Sequence, residues 1–179
     1  MKKLIASLAF LLMMPASVLA QDTDHPPHGL GYVFAGPATH GMGITTGFGG
    51  EGYFYKGLGA GAELATAGFT TSANGNPNWI GMGSANLSYH FFPKKVRGNV
   101  APFVTGGYTL FFGQDTDNYT GSIAHGLNIG GGVDYFASKH VGIRFDVRYY
   151  AHGDHILWAS FPNVTQLSFA AFRIGFTFK

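Results

Sequence analysis

The residues best suited to bind a metal ion lie close together at His152-Gly153-Asp154-His155. Two further carboxylates, Asp115 and Asp117, lie in a second polar segment. Imidazole and carboxylate groups are suitable ligands for divalent transition metals. Their spacing matches no established metal-binding motif, however. We therefore predict a solvated polar loop, with no metal ion and no other cofactor.

Other charged residues lie inside segments that alternate between polar and apolar positions. From residue 141 to residue 149 every second side chain is bulky and apolar, and the residues between them are Gly142, Arg144, Asp146 and Arg148. A period of two is typical of a β-strand with two unlike faces. Residues 127–135 alternate in the same way, and Ser138-Lys139-His140 separates the two runs. The pattern predicts an antiparallel hairpin.

The same reasoning extends this hairpin to eight strands, at residues 30–36, 44–55, 60–71, 79–92, 100–112, 126–136, 141–150 and 165–178. Short turns follow the second, fourth and sixth strands, at residues 56–59, 93–99 and 138–140, and mostly longer loops follow the others. Such a pattern is typical of an up-and-down barrel with both chain ends on the short-turn side. We predict an all-β chain with no helical periodicity after the leader.

The first twenty residues predict an export signal. Lys2 and Lys3 precede an apolar core of 11 residues, Leu4 to Met14, and Val18-Leu19-Ala20 provides small residues for cleavage. This core is short of the roughly 20 residues that a membrane-spanning helix needs. We therefore divide the chain into a signal peptide at 1–20, a polar lead at 21–29 and one barrel domain at 30–179.

The composition excludes several classes of protein. Charged residues make up only 11% of the chain, against about 25% in typical soluble proteins. The net charge of +2 is too small to predict nucleic-acid binding. There are no cysteines, which excludes disulfides and thiolate chemistry.

Alternation alone fits a lipocalin-like soluble barrel as well as a membrane barrel, and the charges decide between them. After the leader, every lysine lies in a turn or at the chain end: Lys56, Lys94, Lys95, Lys139 and Lys179. The charges within strands are Glu51, Glu63, Asp134, Arg144, Asp146, Arg148 and Arg173. A strand face in contact with water needs more charge than this. We therefore predict that the apolar faces contact lipid and that aromatic residues form a girdle at each end. The predicted girdles are Phe54, Phe91, Tyr135 and Phe176 on the turn side, and Trp79, Tyr108, Phe112 and Tyr149 on the loop side.

The seven strand charges predict a polar, ion-paired interior. An eight-stranded barrel has room for little more than its own side chains, and buried charges need partners. Four acids and three arginines nearly balance, with His90 and Asn128 nearby. Glycines at 130, 132 and 142 would leave space for the arginines. We assign these residues no catalytic, cofactor-binding or metal-binding role.

Three segments resemble the OmpA-type family of small outer-membrane β-barrels: residues 101–108 (APFVTGGY), 128–136 and 141–150. The resemblance implies a bacterial outer-membrane address. It also implies recognition by the barrel assembly machinery through an alternating aromatic last strand, here Phe172, Ile174, Phe176 and Phe178 followed by Lys179. Members of the family act as envelope-stabilising proteins, adhesins or small-solute conduits, so the resemblance leaves these roles open.

We predict a non-enzymatic structural or surface-interaction barrel, with a lipid-modifying enzyme and a narrow channel as alternatives. Lipid A deacylases of similar size resemble the chain in barrel plan, with a serine two residues after a histidine. Neither His90 nor His152 has a serine at that spacing. Expected partners are outer-membrane lipid, lipopolysaccharide and the assembly machinery, but no nucleic acid, and we expect a monomer. The outer loops contain Asp115, Asp117 and Asp154 without lysine or arginine, so contact with lipopolysaccharide phosphates would require bridging divalent ions.

Overall fold

The computed structural model describes residues 29–40, 42–68, 79–91, 100–114, 121–152 and 168–179. They form eight strands: β1 (Gly29–Ala38), β2 (Gly43–Tyr55), β3 (Leu58–Gly68), β4 (Trp79–His90), β5 (Val100–Gln114), β6 (Gly121–Phe136), β7 (Val141–His152) and β8 (Ser168–Phe178). No helix in these ranges is long and apolar enough to cross a membrane. The predicted signal peptide and most of the lead lie outside the described residues, as do the turn at 93–99 and the acids of the outer loops.

Each strand pairs antiparallel with the next, and β1 pairs with β8 to close a barrel. The closing register places Gly31 opposite Phe178 and Val33 opposite Phe176. Closure satisfies the backbone groups that an open sheet would leave unpaired at its edges. The predicted fold, an eight-stranded antiparallel up-and-down barrel, is confirmed.

The hairpin of β5 and β6 is longer than its sequence predicts. Gln114 pairs with Gly121 and Phe112 with Ile123, so β6 starts five residues before the predicted residue 126. Gly121 and Ser122 favour a turn by residue type. Pairing with the already extended β5 overrides that preference, because β-propensity depends strongly on the neighbouring strand.

The turn between β2 and β3 is shorter than predicted. Leu58 and Gly59 already pair in β3, which leaves Lys56 and Gly57 as a two-residue turn. Both have positive φ, 38° and 92°, as the tight hairpin turns that match strand twist require. Glycine adopts this conformation without steric cost, which explains the residue at position 57.

Side chains alternate between the outside and the inside of the barrel as predicted. Phe145 is 51% exposed, whereas its neighbours Arg144 and Asp146 are 3% and 4% exposed. The predicted girdle aromatics are all exposed: Phe54, Phe91, Tyr135 and Phe176 at the turn end, and Trp79, Tyr108, Phe112 and Tyr149 at the loop end. The assignment of the apolar faces to the outside of the barrel is therefore confirmed.

The inner face is less uniformly polar than its sequence predicts. Seven aromatic side chains point inward and are buried: Tyr32, Phe34, Phe103, Phe111, Phe136, Tyr150 and Phe169. The rings occupy interior space between the charged and hydroxyl groups, as side chains of a close-packed protein core do. Their inward placement follows from strand register, which is set by all eight strands together.

Two neighbouring residues of β4 give a direct test of this alternation. Ser84 is buried in the interior, and Ala85 is exposed on the outer face. Because the native chain has no cysteine, Ser84→Cys and Ala85→Cys each introduce one thiol with little change in volume. We expect a lipid-soluble maleimide to label Ala85→Cys in folded protein in vesicles and to leave Ser84→Cys unlabelled. Both variants should label after denaturation, and labelling at 84 but not at 85 would show that the faces are reversed.

Candidate functional site

The seven predicted interior charges form two linked groups inside the barrel. The turn-side cluster consists of Glu51 on β2, Asp134 on β6 and Arg144 on β7, together with His90 on β4. Arg144 Nη1 lies 3.2 Å from Glu51 Oε1 and 3.6 Å from Asp134 Oδ2. His90 Nε2 lies 3.0 Å from the same Glu51 oxygen, and its Nδ1 lies 3.6 Å from Asp134 Oδ2.

The central cluster consists of Glu63 on β3, Asp146 and Arg148 on β7, and Arg173 on β8. Arg173 donates to Glu63 Oε1 at 2.7 Å and to Asp146 Oδ2 at 2.5 Å. Arg148 donates to Asp146 Oδ2 at 3.1 Å, and its Nη1 lies 3.6 Å from Glu63 Oε2. Arg144 Nε lies 3.8 Å from Asp146 Oδ2 and so connects the two clusters.

Aromatic rings complete the surroundings of the guanidinium groups. The guanidinium carbon of Arg144 lies 4.2 Å from the ring centroid of Tyr32 and 3.9 Å from that of Phe103. That of Arg173 lies 4.0 Å from the Phe34 ring centroid. Cations over ring faces are attracted by the quadrupole, and more strongly where water is excluded. The rings therefore stabilise charges that burial would otherwise destabilise.

Two tyrosines also bind the central cluster. The hydroxyl groups of Tyr32 and Tyr150 each donate to Glu63 at 3.1 Å. Sequence reasoning missed both tyrosines. Extending the alternation of β7 by one position places Tyr150 inside, so a signal was present for that residue. For Tyr32 the sequence offers less, because β1 is apolar on both faces.

A group of neutral polar side chains extends from the central cluster across β4, β5 and β6. Asn128 accepts from Arg148 at 3.3 Å and donates to Asn86 and Thr109, both at 2.9 Å. The hydroxyl groups of Thr109 and Ser84 share a hydrogen bond of 2.8 Å. Hydrogen-bonded amides and hydroxyls compensate for the cost of their burial. The predicted position of Asn128 near the charges is correct.

Glycines on the inner face make room for these larger groups. A Cβ on Gly130 would lie 3.1 Å from Arg148 Nε, in agreement with the predicted space for an arginine. A Cβ on Gly49 would lie 2.6 Å from the Tyr32 hydroxyl, and one on Gly132 would lie 2.9 Å from the Phe103 ring. Side chains at these two positions would displace the rings that contact Arg144 and Glu63.

Above the charges, toward the loop end, the interior becomes apolar. The loop-side apolar cluster contains Met42, Ala67, Met82, Phe111, Ala124, Tyr150, Phe169 and Ala171, all buried. The Tyr150 ring stacks on Phe169 with centroids 4.9 Å apart. Since the hydroxyl of Tyr150 donates to Glu63, this side chain joins the apolar cluster to the central charges.

The arrangement of Ser88, Glu51 and His90 determines whether the interior has the geometry of a hydrolase. Glu51 accepts a hydrogen bond from Ser88 and contacts His90, so the carboxylate lies between the serine and the histidine. A serine nucleophile is instead activated by an imidazole that lies between the hydroxyl and the acid. Ser88 and His90 are also buried inside the barrel. The group therefore fits internal charge pairing better than catalysis.

Of the five residues considered as metal ligands, His152 alone lies within the described residues. His152 ends β7, whereas Asp115, Asp117, Asp154 and His155 lie outside the described residues. Across the described ranges, no group of three histidine or acidic side chains is arranged to hold a metal ion. The solvated-loop interpretation of this segment stays a prediction.

Comparison with known protein families gives a match to the outer membrane protein β-barrel domain over residues 6–179. The chain belongs to this family. The match covers nearly the whole sequence and confirms the resemblance to small outer-membrane barrels. The protein is accordingly assigned to the bacterial outer membrane. A search of characterised proteins finds no significant sequence match.

Solved structures of other outer-membrane barrels share the fold at low sequence identity. Neisserial surface protein A superposes with a TM-score of 0.60 and 16% identity, covering 84% of this chain and 96% of that one. The N-terminal barrel domain of Pseudomonas aeruginosa OprF gives 0.54 and 14%, with 84% and 98% coverage. Ail of Yersinia pestis, solved with the heparin analogue sucrose octasulfate, gives 0.54 and 12%, with 84% and 96% coverage. At these identities the likeness shows the fold alone.

The contacts of Arg173 predict that replacing this residue lowers the free energy of unfolding. Arg173→Met leaves Glu63 and Asp146 with fewer cationic partners, and breaking a buried ion pair costs roughly 3–5 kcal/mol. We expect a loss of unfolding free energy of this order, measured by urea titration in lipid vesicles. Lys139→Met removes an equal charge from an exposed turn and should change stability by less than about 0.5 kcal/mol. Adding Glu63→Gln to Arg173→Met should recover part of the loss, and equal effects of the two single variants would contradict the assigned role of Arg173.

Proposed function

We propose that this outer-membrane barrel is closed to solutes and acts as a rigid scaffold in the envelope, with a structural, envelope-stabilising or surface-interaction role. The observation that supports the proposal is the set of buried ion pairs and aromatic side chains inside the barrel. Four carboxylates, three guanidinium groups and His90 contact one another across the barrel, beneath a buried apolar cluster. A solute passing through would have to separate these pairs and expel the rings.

The free-energy cost of opening a path through the interior favours a closed barrel over a conducting one. Opening a path leaves buried charges without partners, at a cost of several kcal/mol for each ion separated. The loop-side apolar cluster adds a second barrier, since a narrow apolar constriction excludes water and ions. A narrow small-solute channel is the alternative, and it would require both barriers to yield together.

Two observations favour a scaffold over a lipid-modifying enzyme. The Ser88–Glu51–His90 group has its carboxylate in the middle, and it lies where membrane lipid cannot reach it. On the outer face, Tyr108 and His125 share a hydrogen bond. An imidazole beside a phenol does not provide the activated serine that a lipid esterase of the triad type needs.

In a surface-interaction role, the loops rather than the strands determine which molecules the protein contacts. Ail binds a polysulfated heparin analogue in its solved structure, a ligand that calls for cationic groups. The loop segments of this chain contain no lysine or arginine and three aspartates. We therefore propose that its loops contact neutral or cationic surfaces, or lipopolysaccharide through bridging divalent ions, rather than polyanions.

The closed interior predicts poor conductance in planar lipid bilayers. Purified protein should show small or rare openings. Phe111→Ala combined with Phe169→Ala removes two rings from the loop-side apolar cluster and should raise the frequency of openings. Phe145→Ala removes one ring from the outer face instead and should leave the openings unchanged. Large, steady, ohmic currents through the unaltered protein would overturn the closed-barrel proposal.

A scaffold role predicts an envelope defect in a strain that lacks the protein. We expect raised sensitivity to detergent and to chelators, restored by the intact gene. A version in which a short Gly-Ser linker replaces residues 153–167, between β7 and β8, separates the two roles. If the linker version restores resistance to detergent and chelators, the structural role belongs to the barrel. If the linker version assembles normally but does not restore resistance, the role belongs to the loop.

A strain without the protein that keeps normal resistance and unchanged surface binding would contradict both roles.

A further inference from the structure

In the part of the barrel that the structure describes, the exposed charged side chains lie at one end and are all lysines. Within the described residues the four acids, Glu51, Glu63, Asp134 and Asp146, all lie inside the barrel among the arginines. The lysines are different. Lys56 lies in the β2–β3 turn and Lys139 between β6 and β7, and both are exposed. Lys179 follows β8, but its Nζ lies 3.3 Å from the ring centroid of Phe136, which points into the barrel, so we do not count it among the cations that face the lipid. In this part of the chain, no exposed carboxylate side chain accompanies the lysines at the turn end.

These lysines are spread around the rim of the barrel. The β2–β3 and β6–β7 turns are separated by four strands in the closed order of eight, so Lys56 and Lys139 lie on opposite sides. Cations on opposite sides of the rim fit an extended anionic surface around the barrel better than one small anion, which needs convergent donors.

Exposed aromatic residues lie next to the cations on the membrane side. Phe54 and Tyr55 directly precede Lys56 and are 63% and 61% exposed, and Lys56 Nζ lies 5.1 Å from the Tyr55 ring centroid. On the opposite side, exposed Tyr135 and Phe178 lie near the turn that holds Lys139. An apolar band, then aromatic rings, then cations is the order in which a bilayer presents acyl chains, the interface and phosphate groups.

We propose that the turn end of the barrel binds anionic phospholipid headgroups in the leaflet that the turns face. The lysines attract the phosphate groups, and the aromatic belt contacts the interfacial part of the same lipids. Lipid rather than a soluble anion is the occupant, because the cations are distributed along the rim and border an apolar surface. The barrel thereby gathers negatively charged lipid around its turn end. This inference does not depend on whether the interior conducts.

Spin-labelled lipids test this binding directly. The full-length mature protein is reconstituted in phosphatidylcholine vesicles, and the motionally restricted fraction of spin-labelled phosphatidylglycerol is compared with that of spin-labelled phosphatidylcholine. We expect phosphatidylglycerol to be enriched about two- to fivefold at the protein, the range for lysines near an anionic lipid surface. The enrichment should fall between 0.1 M and 1 M salt, as the screening length shrinks from about 10 Å to about 3 Å.

Two double variants test whether the charge of the lysines causes the enrichment. Replacing Lys56 and Lys139 with glutamine should reduce the enrichment by at least half, and replacing the same two lysines with arginine should retain it. Lys94, Lys95 and Arg97 stay in both variants, so some enrichment should remain. Gel mobility before and after heating checks that both variants fold.

Three results would overturn the proposal. The first is an unaltered protein with no preference for phosphatidylglycerol. The second is a glutamine variant that retains the full preference. The third is loss of the preference on adding inorganic phosphate but not on adding sodium chloride of equal ionic strength, which would make a soluble phosphate the ligand. None of these results depends on the conductance or on the envelope phenotype, so the inference and the proposed scaffold role fail separately.

Discussion

Arg173 joins two carboxylates that the chain places on different parts of the barrel wall. Its guanidinium donates to Glu63 on β3 and to Asp146 on β7, while Arg144 and Arg148 connect β7 to the same side of the barrel through Glu51 and Glu63. Hydrogen bonds between neighbouring strands close the barrel, but only side chains can tie opposite walls together. Because each buried charge is costly without a partner, the positions of all seven charges constrain one another.

Other interior features follow from this requirement. Tyr32 and Tyr150 supply the hydrogen bonds that Glu63 needs beyond its arginine contacts. The rings of Tyr32 and Phe103 both contact Arg144, and the absence of a side chain at Gly49 and Gly132 leaves space for these rings. A change at any of these positions therefore alters the environment of a buried charge, even where the changed residue is itself neutral.

The outer surface obeys a different constraint, since lipid gives no partner to a charge. The chain meets it by confining exposed lysines to the turn end, beyond the aromatic belt. Charged side chains are therefore densely paired on the inner face of the barrel, whereas they are excluded from the apolar band on its outer face. The family match and the solved barrels agree with an outer-membrane β-barrel fold, but a fold shared at such low identity does not select a biological role. The role depends on what the loops and the rim contact.

The amino-acid sequence by itself determined the fold class, the outward faces and the seven charged interior residues. Alternation with period two and the shortage of charge are local or compositional signals, so no knowledge of distant contacts was needed. Only the tertiary structure decided which charges pair, for example that Glu51 contacts Arg144 and that Glu63 contacts Arg173. These partners are 93 and 110 residues apart. The register of eight strands brings them together, and that register emerges only when the barrel closes. The inward rings of Tyr32, Phe34 and Phe103 were missed for the same reason. An aromatic residue suits a lipid-facing surface and a packed interior equally well, and the closed barrel assigns each one to its side.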